Sequence, residues 1–350
     1  MSVVIDLKPP YLVFLGDVKS HALAKTSFGL AQWAADKCVA QLRYTGCESD
    51  TGLPDMSVQQ AVAAGAKSLV IGSAPVGGAI QENWLPTLLE AINAGMDIVS
   101  GLHTKLSNYP ALVEAAKSSG ARLIDVRIPP EELPIGNGAK RTGLRLLTVG
   151  TDCSVGKKYT ALAIQQALSA KGISSDFRAT GQTGIMIAGS GLPIDAVVSD
   201  FIAGAAEILS PDNDADHWDI IEGQGSIFQP AYAGVSLGLL HGSQPDAIVV
   251  CHDPSREHII GCPSHSVPDV AQCIEANLQL GRLTNPAIRC VGVSVNTSGV
   301  EPEDRQALLD QLAAETNVPC LDPLVDGVEP FIALMLGTAK ASRAGQEVLV

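Results

Sequence analysis

Short, uninterrupted apolar runs alternate along the chain with longer stretches whose apolar positions recur at helical spacing. "YLVFLG" (11–16), "SLVIGS" (68–73), "DIVSGL" (97–102) and "RLIDVR" (122–127) read as buried strands. Between them "FGLAQWAADKCVA" (28–40), "NWLPTLLEAINAG" (83–95) and "YPALVEAAKSSG" (109–120) read as helices, two of them closed by glycine. Apolar strands separated by helices imply a parallel sheet covered on both faces, here Rossmann-like. "IPPEELPIGNGAKRTG" (128–143) then breaks the pattern, being dense in proline and glycine, without a period and too polar to pack. The alternation resumes with "LRLLTVG" (144–150), a helix over 157–171, "DIIEG" (219–223), "AIVVCHD" (247–253) and a helix over 268–281. "CVGVSVN" (290–296), a helix over 303–316 and "VPCLD" (318–322) complete it. The expectation is an α/β chain with a Rossmann-like domain over 1–130, a linker over 131–143 and a P-loop NTPase-like parallel-sheet domain over 144–350.

Composition narrows the function classes. At 350 residues the chain exceeds what one core usually organises. It is 46% hydrophobic and only 17% charged, which leaves little polar surface for a monomer, so a homo-oligomer is expected. A formal net charge of −14 argues against a nucleic-acid partner. The eight cysteines form no CxxC pair, so they read as reduced thiols of a cytoplasmic protein. No apolar run approaches the ~18 residues of a membrane span, and no basic region precedes the first apolar stretch.

The strongest local signal is "LLTVGTDCSVGKKYTAL" (146–162), in which an apolar strand ends in a glycine-bearing turn and Gly156-Lys157 opens a helix. Such a turn aims backbone N–H groups and the positive end of the helix dipole at whatever occupies it. Gly150, Thr151, Asp152, Cys153, Ser154, Val155, Gly156, Lys157 and Lys158 are therefore the candidate phosphate-binding residues. A Walker loop places Ser or Thr after the lysine to hold magnesium; here Lys158 stands there, and an ammonium repels a cation. Thr160 cannot substitute, because two residues turn a helix by about 200°. The wider glycine spacing is similar to the GTDT-x-V-G-K-T loop of dethiobiotin synthetase. A cradle without its metal hydroxyl suits a diphosphate that arrives unmetallated, such as that of coenzyme A.

Other candidates cluster at predicted strand ends. "WDIIEGQGS" (218–226) resembles the VEGAGG-type segment of dethiobiotin synthetase and offers Glu222 beside the phosphates. "FRATGQTGIMIAGSGLPIDAVVSDFIAGAAE" (177–207) is rich in glycine, as backbone lying against a ligand or a neighbouring strand would be. It carries Arg178, a possible anion anchor, and Asp200, which lies within an apolar run where an ionised carboxylate needs a partner. "CHDPSREHIIGCPSHSVPD" (251–269) offers His252, Arg256, His258 and His265; an imidazole there suits a general base. Its Cys/His spacings match no zinc pattern, so no metal site is expected. "IGSAPVGG" (71–78) and "GLHTKLSN" (101–108) are either plain turns or walls of a substrate cleft, with His103 and Lys105 available to a carboxylate.

Together "VGTDCSVGKKYTAL", "RATGQTG", "DIIEGQGS" and "CHDPSREHI" resemble, over nearly the whole chain, a bacterial two-domain family first catalogued as of unknown function. Its members include D-glutamate N-acetyltransferases. The resemblance implies acetyl-CoA-dependent acetylation of the D-glutamate amine on a P-loop fold. Glu222, Asp200 or His252 would then take the amine proton, and Arg178, Arg256 or Lys105 would hold the substrate carboxylates. The competing class is an ATP-dependent ligase or kinase of the dethiobiotin synthetase type, with Asp152 and Glu222 holding magnesium.

Overall fold

The computed structural model describes residues 5–75 and 78–346; Val76 and Gly77 of the "IGSAPVGG" stretch lie outside the described residues. The chain divides into two compact units. One runs to Glu131 and takes back Gly181–Ala196; the other holds Glu132–Thr180 and the chain from Val197 onward.

The first unit contains β1 (Ile5–Asp6), β2 (Tyr11–Gly16), α1 (Lys25–Trp33), β3 (Cys38–Arg43), α2 (Val58–Ala63), β4 (Ser68–Ile71), α3 (Leu85–Asn93), β5 (Asp97–Ser100), α4 (Pro110–Ser119) and β6 (Leu123–Asp125). Five parallel strands form its sheet in the order β3-β2-β4-β5-β6. Leu12, Phe14, Leu69, Ile71 and Ile98 from the strands meet Trp84, Leu88 and Ile92 in a core of buried side chains. The stretch expected to be helical over 28–40 splits instead: α1 ends at Trp33, and Cys38–Arg43 is the outermost strand of the sheet, paired with β2 on one side and bridged at Gln41 to Asp55 on the other. Polar Gln41, buried but hydrogen-bonded to Asp50 and Thr51, and Arg43, paired with Asp55, interrupt the apolar run that marks a central strand.

The second unit begins with β7 (Leu144–Gly150), α5 (Lys157–Ala170) and β8 (Ser175–Arg178). The chain then joins the first unit through α6 (Gln182–Ala188) and β9 (Ser190–Gly191). There β9 pairs antiparallel with β1, and the Lys37 ammonium donates to the last carbonyls of α6, Ile187 O at 3.0 Å and Ala188 O at 2.6 Å. The glycine-rich stretch thus lies partly against a neighbouring strand. Back in the second unit follow α7 (Ile202–Leu209), β10 (Trp218–Ile221), α8 (Ala233–Ser243), β11 (Ala247–His252), the hairpin β12 (His258–Ile259) and β13 (Cys262–Ser266), α9 (Val270–Gly281), β14 (Arg289–Val295), α10 (Pro302–Thr316), β15 (Cys320–Leu321) and α11 (Glu329–Gln346).

Six parallel strands run in the order β15-β14-β11-β7-β10-β8. On one face Ala161, Ile164 and Leu168 of α5 and Phe331, Ile332 and Met335 of α11 pack on Leu146, Ile220, Val249 and Val291. The proline-rich stretch before β7 is held, against expectation, by polar contacts. Arg141 donates to Ser210 O and Gly242 O, both at 2.8 Å, and the Glu207 carboxylate accepts from the backbone of Asn137 and Gly138. Gly204 permits this approach, since a β-carbon there would lie 1.9 Å from Pro134 O. Among the described residues no helix is long and apolar enough to cross a membrane.

Candidate functional site

Strand β7 is where the order of the second sheet reverses: the chain goes first to β8 and β10 on one side and later to β11, β14 and β15 on the other. Ligands bind such α/β sheets outside the carboxyl ends of the strands at this switch point. The loop between β7 and α5, the turn after β10 and the segment after β11 all open there.

The loop is shaped for an anion. Ser154 and Gly156 both have left-handed backbones (φ 55° and 107°), which turns successive peptide groups toward one side. The N–H groups of Ser154, Val155 and Gly156 make no hydrogen bond among the described residues. Three consecutive unpaired donors just before α5 form a nest whose geometry suits the oxygens of an anion. Lys157 is buried, its ammonium donates to Asp152 O at 2.7 Å, and burial pulls its pKa below the ordinary lysine value.

The side-chain oxygens of Asp152 and Thr160, beside the loop, are engaged within the protein. The fully buried Asp152 carboxylate accepts from Cys153 N at 2.6 Å, Ile260 N at 2.8 Å and Arg256 Nη1 at 3.1 Å. Thr160 Oγ1 pairs with Ser294 Oγ at 2.7 Å and donates to Gly156 O, facing the sheet. Lys158 stands at the second position of α5 with Nζ 4.5 Å from the centre of the Tyr159 ring.

Glu222 follows β10 and is buried. Its Oε2 accepts from Thr180 N at 3.0 Å while Thr180 Oγ1 donates to Glu222 O at 2.6 Å. The next residue must be glycine: a β-carbon at Gly223 would lie 1.6 Å from Thr148 O and 3.0 Å from Lys157 Cδ. That close approach seats the "EGQG" turn directly on the loop. His252 closes β11, and its Nδ1 lies 3.1 Å from Thr151 Oγ1. Burial lowers the imidazole pKa, against a smaller upward pull from Asp253, so the ring is neutral at physiological pH.

The structure therefore brings the loop, Glu222, His252 and Arg256 together. Within the second unit it places Arg178, Asp200, His258 and His265 away from this group. Arg178 turns away from the strand ends, with Nε 2.7 Å from the buried Asp219 Oδ1 and Nη2 3.0 Å from Asp176 Oδ2. Asp176, His217 and Asp219 bring three potential ligand atoms within 4.8 Å of one another, but this guanidinium already bridges the two carboxylates. Asp200 is exposed on a single 3-10 turn, Ser199–Phe201, so it needs no buried partner; the apolar run breaks there because a new helix begins. His258 and His265 are exposed on the hairpin. Lys105 is exposed and lies in the first unit. Sequence reasoning missed Thr180 and Thr148, which fix the turn after β10 through Glu222 and Gly223 N. Single threonines carry no period or spacing that would mark them.

A D-glutamate N-acetyltransferase from a Pseudoalteromonas species is 50% identical to this chain over 329 residues, 94% of this chain and 99% of that protein. Another of the same name, from Tritonibacter scottomollicae, is 47% identical over 321 residues, 92% of this chain and 96% of that protein. The crystal structure of a DUF1611 family protein from Anabaena variabilis matches with a TM-score of 0.79 at 30% identity, covering 94% of this chain and all of that one. The expected fold class and the resemblance to a two-domain family are borne out. A P-loop domain model of unknown function (DUF1611_C) matches residues 134–332 and a Rossmann-like one (DUF1611_N) matches 42–129, and the chain belongs to this two-domain family.

Proposed function

We propose that this chain is an N-acetyltransferase that transfers the acetyl group of acetyl-CoA to the amine of D-glutamate. The observation that carries the reading is near-full-length identity of 50% and 47% to two proteins of that name. The loop chemistry supports it independently: a nest of N–H groups and Lys157 suits the donor's diphosphate, and the engaged Asp152 and Thr160 leave little for a magnesium ion.

In this reading the amine nitrogen attacks the thioester carbonyl, the C–N bond forms and the C–S bond breaks. The proton leaves the amine for a base and passes to the departing thiolate. Of the candidate bases, His252 fits best: with Nδ1–H donating to Thr151 Oγ1, its Nε2 lone pair has no partner among the described residues. The pantetheine arm, close to four peptide units long, spans about 14 Å when extended. A base beside the loop therefore requires the arm to fold back. The test is thiol release from acetyl-CoA with D- and L-glutamate in parallel. Release with the D isomer and N-acetyl-D-glutamate as product is expected; no release with either ends the reading.

A further inference from the structure

The sequence offers Arg256 as one of three candidate anchors for the substrate carboxylates; in the structure its guanidinium faces the loop between β7 and α5. Nη1 donates to Cys153 O at 2.6 Å and to Asp152 Oδ2 at 3.1 Å, and Nη2 donates to Ser154 O at 3.0 Å. Nε lies 3.4 Å from Asp253 Oδ2, which holds the guanidinium from behind.

A planar trans peptide points its C=O and N–H in opposite directions. Holding Cys153 O fixes the N–H of Ser154, and holding Ser154 O fixes that of Val155. These are two of the three unpaired donors of the nest. Arg256 also neutralises Asp152, whose carboxylate would otherwise repel an anion from within the loop. Freed of this contact, either peptide can turn its carbonyl lone pairs toward the ligand.

We infer that Arg256 is a positioning residue that pre-forms the anion cradle, acting on the donor's diphosphate through the Cys153 and Ser154 peptides and not on the amino-acid substrate. The inference rests on the proposed acetyl transfer, and the experiment separates the two. In R256A the KM for acetyl-CoA should rise about 100-fold, as misplaced binding groups do, while the KM for D-glutamate stays unchanged. Added guanidinium ion should lower that raised KM in R256A and leave wild type alone. R256K keeps the charge but cannot reach three acceptors, so it should fall between; should R256A not fold, the R256K pair of KM values decides. A rise in the KM for D-glutamate alone, or R256K equal to wild type, overturns the inference. If wild type acetylates nothing, the functional reading fails, and calorimetry with inorganic pyrophosphate then decides for Arg256. Binding lost in R256A upholds its role; equal binding overturns it.

Discussion

The ammonium of Lys157 donates to the carbonyl oxygen of Asp152, closing the phosphate loop on itself across 2.7 Å. That partner is neutral and the side chain is buried, which explains the depressed pKa. An entering diphosphate supplies a full counter-charge, so binding raises that pKa again. The expected result is proton uptake on acetyl-CoA binding at alkaline pH, read by calorimetry in buffers of different ionisation heat. Affinity should weaken as pH rises, because the neutral amine then has to be protonated first. Lys157→Met should abolish the uptake and cost about 1.5–3 kcal/mol of binding, the usual value of a charged hydrogen bond.

The donor set around the loop predicts independence from magnesium. Asp152 already accepts three hydrogen bonds, Thr160 is paired with Ser294, and Lys158 stands where a hydroxyl would complete an octahedral shell. Turnover with acetyl-CoA should be the same with and without EDTA. Loss of activity on chelation that magnesium alone restores would place a metal ion in the reaction and favour the ligase class.

Much of this was legible in the sequence. Unbroken apolar runs such as "YLVFLG" and "AIVVCHD" are what a central parallel strand needs, and they locate β2 and β11. The turn before Lys157 is recognisable as a loop opening a helix because glycine spacing and a helix start are local properties. Partners distant in sequence were not legible. Nothing near Arg256 shows that its acceptors lie about a hundred residues earlier, and nothing near Arg178 shows that Asp219 turns it from the strand end. Asp200 reads as buried because the run around it is apolar, whereas the turn that carries it meets solvent.

Arg178 provides a test of that distinction. Its guanidinium neutralises Asp219, which is 1% exposed, together with the exposed Asp176. Arg178→Ala should leave the KM for D-glutamate unchanged and lower stability in urea. The loss should be about 2–3 kcal/mol, below the ~3–5 of a wholly buried pair because the arginine is partly solvated. A raised KM with unchanged stability would return Arg178 to the substrate site.

The pH profile examines His252 directly. Only the neutral imidazole accepts a proton, so the active fraction grows with pH. Burial lowers the pKa from its ordinary 6.5, which moves the acid limb of kcat below that value and leaves the base fully competent at neutral pH. His252→Gln keeps a polar group near Thr151 and cannot take the proton. It should lower kcat by about 10²–10⁴-fold, the usual contribution of a general base, and erase the acid limb without changing the KM for acetyl-CoA. If the variant keeps its kcat, the pantetheine arm does not fold back over the loop, and the amine meets the thioester at the far end of the extended arm, beyond the reach of β11.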